Sequence, residues 1–67
     1  MSKAVLADLL NHIYDGPKPL TELVDAARVK EVANHLQGAG LAYVLNGVAR
    51  IMAAGRHFVD TARAQQA

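Results

Sequence analysis

Asn46-Gly47 lies between two apolar runs, Leu41-Ala42-Tyr43-Val44-Leu45 and Val48-Ala49-Arg50-Ile51-Met52. A two-residue type I′ turn needs positive φ at both central positions, and Asn-Gly tolerates that best. The pair therefore predicts a β-hairpin over 41–52 in a chain whose other periodic segments read as helical. A two-residue loop also sets the register. Leu45 faces Val48, Tyr43 faces Arg50 and Leu41 faces Met52 on one side of the ribbon, while Ala42, Val44, Ala49 and Ile51 share the other. Both sides are largely apolar, unlike a ribbon with one wet face. One side is expected to pack on helices, and the other needs a cover: the last helix or a second protomer.

The 67 residues make one small domain, 1–67. A chain of this size buries only about 60% of its unfolded surface, so its stability is marginal. Hydrophobic residues make up 52%, which is enough for a core and leaves apolar surface to spare. The absence of cysteine removes disulfides and thiolate chemistry, and association between chains is the common substitute. The net charge of +1 implies only modest non-specific affinity for nucleic acid. Residues 1–33 hold Lys3, Lys18, Arg28 and Lys30 against five acids, whereas 34–67 hold Arg50, Arg56 and Arg63 against Asp60 alone. A basic face must draw on the later half plus Arg28 and Lys30. No stretch is long and uncharged enough for a signal peptide or a membrane span, so a cytoplasmic protein is expected.

Ser2 is a candidate N-cap for a helix over 2–14, in which Leu6, Leu9, Leu10 and Ile13 form one apolar face. Asp15-Gly16-Pro17-Lys18-Pro19 ends it. Leu20, Leu23, Val24 and Ala27 make a second stripe; Val29, Val32, Ala33 and Leu36 make a third. The centres of these two stripes are nine positions apart, a rotation of roughly 180° at 3.6 residues per turn. A break near Ala26 to Arg28 is the simpler reading, giving helices over 20–26 and 28–37. One continuous helix from Thr21 to Gln37, buried first on one side and then on the other, is the alternative. Gly38 and Gly40 stop the third segment, and a last helix is expected over 54–65, with Phe58, Val59 and Ala62 on one side. The predicted class is α+β and mostly helical: three short helices, a two-stranded hairpin and a C-terminal helix.

That order resembles the winged helix-turn-helix domains of MarR- and ArsR-type repressors. Thr21-Glu22-Leu23 is similar to the start of their second helix. His35-Leu36-Gln37-Gly38-Ala39-Gly40-Leu41 is similar to the end of the recognition helix running into the first wing strand. Ala49-Arg50-Ile51-Met52-Ala53-Ala54-Gly55-Arg56 is similar to the second wing strand and the stretch that opens the last helix. The likeness spans about residues 4–63. Three departures stand out: a short interval from Leu23 to Val29, Ala53 in place of a capping threonine, and a wing tip without Arg or Lys. The resemblance implies a homodimeric transcriptional regulator that binds double-stranded DNA, its third helix entering a major groove. Arg28, Lys30, Asn34, His35, Gln37 and Arg50 are then the candidate DNA contacts. Arg28 and Lys30 would neutralise phosphates, Asn34 and Gln37 would read adenine edges, and Arg50 would reach a backbone or minor groove.

The alternative is a protein-interaction module of bacterial or phage type, docking through Tyr43, Leu45, Val48, Phe58 and Val59. These five are equally the candidate dimer surface. His12, His35 and His57 lie on separate segments without ligand spacing, so no metal site and no cofactor are expected. No hydroxyl sits in a nucleophile motif, and Gly38-x-Gly40 precedes a strand, so no catalytic residue is nominated and no enzyme is expected. A basic stripe along the third segment and the wing would favour DNA. An apolar patch would favour a protein partner.

Overall fold

A computed structural model describes residues 2–66. Helix α1 spans Lys3–His12, and the Ser2 hydroxyl accepts from the Val5 N–H (3.2 Å) as the expected N-cap. Strand β1, Lys18–Pro19, leads into a 3₁₀ turn at Leu20–Glu22. A second 3₁₀ turn at Ala26–Arg28 runs into α2, Val29–Gly38. Strands β2 (Ala42–Leu45) and β3 (Val48–Ile51) form the hairpin, and α3 covers Ala53–Gln66. The class is α+β, as the sequence predicts.

The hairpin has the expected register, with Tyr43 opposite Arg50 and Leu45 opposite Val48. Asn46 (φ 53°) and Gly47 (φ 78°) both carry the positive φ of the inferred turn. Its ends are closed by local chemistry as well. At the end of α2, the Leu41 N–H donates to the Leu36 carbonyl and the Gly40 N–H to that of Gln37, with Gly40 left-handed at φ 72°. This is a Schellman closure, and the two leucines it joins are both buried.

Two expectations are corrected. The stretch 20–26 is not an α-helix. The Leu20 carbonyl accepts from both Leu23 and Val24 N–H groups, making one turn, and Asp25 then becomes extended (ψ 143°). Seven residues leave too few internal hydrogen bonds to offset helix nucleation, and one turn already carries Leu20 into the core with Leu23 and Val24 half-buried against it. The reversal of phase in the sequence is thus real, but it is resolved by irregular chain around Asp25 and not by two joined α-helices. The sheet also has three strands, in the order β1-β3-β2. Lys18 pairs with Ala49 and Pro19 with Val48, and the Leu20 N–H donates to the Gly47 carbonyl (2.9 Å). Proline tolerates this place because a two-residue edge strand demands little of its N–H.

The core draws Leu6, Leu9, Leu10 and Ile13 from α1, Val32, Ala33 and Leu36 from α2, Ala42 and Ala49 from the sheet, and Val59 from α3, with Leu20 and Leu41 between elements. Among the described residues no polar or charged side chain is buried. Ala42, Val44, Ala49 and Ile51 form the inner face of the hairpin. Helix α3 lies along α1 and leaves the outer face uncovered, so Tyr43 and Leu45 are 44% and 60% exposed; Met52, just beyond β3, is 41% exposed. Leu41, expected on that outer face, lies beyond the strand and is buried.

Candidate nucleic-acid interface

Helix α2 presents its apolar positions Val29, Val32, Ala33 and Leu36 to the fold. At about 100° per residue, Lys30, Asn34 and Gln37 then share one exposed flank, while Glu31 and His35 fall on the other. A hydrogen bond orients the pair of flanks. The Gln37 Oε1 accepts from the Val44 N–H (3.2 Å) on β2. The flank bearing Lys30 and Asn34 is therefore the one turned toward the hairpin, and Asn34 stands one helical turn beyond Lys30, about 6 Å along the axis.

The other flank is close to charge-neutral. Arg28 lies immediately before α2 and its Nε is 3.8 Å from the Glu31 Oε2, both side chains being well exposed. Such a pair contributes little to stability, but it places the acid of α2 beside a base and away from Lys30. His35 is exposed on the same side.

The six candidate DNA contacts thus do not form one surface. Lys30, Asn34 and Gln37 come together beside the hairpin, whereas Arg28 and His35 sit on the opposite flank of α2. Gln37 is engaged by β2, where its carbonyl covers a donor on the open strand edge. Arg50 belongs to the outer face of the sheet and so points away from α2, because side chains alternate along a strand. The candidate partner surface also divides. Tyr43, Leu45 and Val48 share the outer face, but Val59 is a core residue (2% exposed) and Phe58 is half-buried against the core on α3.

Sequence reasoning missed a polar cluster joining the end of α1 to α3. The Tyr14 hydroxyl donates to the Asp60 Oδ1 (2.8 Å), and the Arg63 guanidinium donates to the Asn11 Oδ1. The guanidinium carbons of Arg56 and Arg63 lie 5.1 and 4.6 Å from the centre of the Tyr14 ring. The spacing of Arg56, Asp60 and Arg63 announces a common helix face. Nothing local announces that Tyr14, 46 residues before Asp60, receives it.

The bond to Asp60 holds the Tyr14 hydroxyl above its ordinary pKa of 10.0, with desolvation and the Asp60 charge adding to it and both arginines opposing it. The neutral phenol is therefore favoured in the folded chain. Its contribution is complete below pH 10 and is lost as pH rises through the higher folded value. In alkaline denaturation, Tyr14→Phe is expected to remove this step from the stability profile, leaving a smaller loss above pH 10 than in the native chain.

No family model matches the chain, and neither the curated proteins nor the solved structures include one similar to it. Among the described residues no helix is long and apolar enough to cross a membrane.

Proposed function

We propose that the protein is a winged-helix-type domain that binds double-stranded DNA through α2, as a small transcriptional regulator. The observation that carries this reading is the exposed Lys30–Asn34 flank, turned beside the hairpin by the Gln37–Val44 hydrogen bond, with the acid of α2, Glu31, beside Arg28. The strand order β1-β3-β2, with the hairpin following α2 directly, supports it. Lys30 supplies a phosphate contact, and the Asn34 amide has the paired donor and acceptor that match an adenine edge in a major groove. Arg50, on the other face of the sheet, is left out of this contact.

With one lysine on the flank and a net charge of +1, non-specific binding should be weak, on the order of 10⁻⁴ M at physiological salt. Fluorescence anisotropy with a short mixed-sequence duplex, titrated across salt concentrations, tests the assignment. Lys30→Ala should weaken binding about equally for all duplexes and lower the salt slope by about 1. Asn34→Ala should flatten any sequence preference, at about 1–3 kcal/mol for a preferred site. No binding at low salt, or binding indifferent to both substitutions, would overturn the reading.

A further inference from the structure

Among the described residues four large hydrophobic side chains are exposed: Val5, Tyr43, Leu45 and Met52. They fall on two separate surfaces. Tyr43 and Leu45 stand on the outer face of the sheet with Val48 and Arg50, Met52 follows directly after β3, and Arg50 is the one charge among them. Val5 stands on the helical side of the fold, at the edge of a depression floored by Leu9, Leu23 and Val24. Asp8, Asp25 and Arg28 border that depression.

The charges at the depression do not cancel. Arg28 is already beside Glu31, and among the described residues the ion-pair partner of Asp8 is His12, at 3.8 Å. Asp25 has no ion-pair partner among the described residues. One surface is thus apolar with a lone cation, and the other is apolar with two carboxylates at its border against one arginine that is paired with Glu31. The two surfaces carry opposite net charge.

We propose that these two surfaces bind each other between copies of this chain: the outer sheet face of one copy, led by Tyr43 and Leu45, seats on the α1 depression of the next, with Arg50 between Asp8 and Asp25. The composition of the donor face fits a protein contact, since Tyr and Arg are enriched in interfaces and pairing with carboxylates offsets the desolvation of its one charge. Because the two surfaces differ and lie on different sides of the fold, the contact is head-to-tail. It does not close at two copies and adds chains as concentration rises. Neither surface includes Lys30 or Asn34, so the contact stands independently of the DNA reading.

Sedimentation velocity of the native chain, from micromolar to millimolar concentration, should show a mass that grows without a plateau at two. Arg50→Glu spoils only the donor face, and Asp8→Lys with Asp25→Lys spoils only the depression. Each variant alone should associate at least about tenfold more weakly. Mixed in equal amounts, they should grow again by alternation, because one junction joins the native face to the native depression and the next joins the two reversed charges. Arg50→Glu joined to the two lysine substitutions in one chain reverses both charges and should restore growth. All these side chains are exposed, and circular dichroism verifies that each variant is folded. A native chain that stays monomeric throughout, a closed dimer indifferent to the substitutions, or a mixture that does not grow would each overturn the contact.

Discussion

Replacing Gly55 with alanine is expected to cost about 3 kcal/mol, the upper range for overpacking a folded interior. A Cβ built on Gly55 would lie 2.1 Å from the Leu41 carbonyl oxygen and 2.8 Å from the Ile51 Cγ1. The oxygen is the decisive obstacle. It is backbone, and it already accepts the Met52 N–H (3.0 Å) that closes the base of the hairpin. It cannot move aside without opening that bond, and α3 cannot withdraw without losing Val59 from the core. Alanine's better helix propensity, worth up to about 1 kcal/mol, does not compensate. Urea denaturation should therefore show a large fall in midpoint. The same change at Gly38, whose added Cβ meets nothing within 4 Å, should raise stability by about 0.5–1 kcal/mol. Equal effects at the two positions would refute the close approach of α3 to the hairpin.

Truncating Leu20 to alanine is expected to cost about 2–5 kcal/mol. Against a total of roughly 3–10 kcal/mol for a domain of this length, that leaves a substantially unfolded chain at 37 °C. Leu20 is fully buried although it lies in an irregular stretch. Its N–H holds the Gly47 carbonyl, and its own carbonyl accepts the two bonds of the 3₁₀ turn, so the side chain anchors β1, the hairpin turn and the approach to α2 at one point. Leu45→Ala, at a 60% exposed site, is the matching control and should change stability by less than about 0.5 kcal/mol when measured on dilute protein. A Leu20→Ala chain as stable as the native one would show that the stretch 20–28 is not anchored to the core.

Local sequence determines the structure wherever one short-range rule governs the outcome. The left-handed turn at Asn46-Gly47 brought the register with it. Ser2 capped α1 through a contact three residues away. The apolar spacing of 29–36 placed the buried face of α2 correctly, and with it the exposed positions Lys30 and Asn34. At 20–26 a helical apolar pattern is satisfied instead by a single turn and an extended residue. The basic side chains do not gather on one surface, since spacing along a helix or strand says which residues share that element's face and nothing about how two elements face each other.

Periodicity and turn chemistry thus specified α1, α2, α3 and the hairpin by themselves, because each depends on backbone geometry within a few neighbouring residues. Packing alone decided four other features: β1 joins the sheet, Tyr14 meets Asp60, Gln37 covers the edge of β2, and Arg50 stands on the face opposite α2. Each joins groups that sit on separate elements, so its partner is chosen by how the elements dock to bury the core, a quantity no local window of sequence contains.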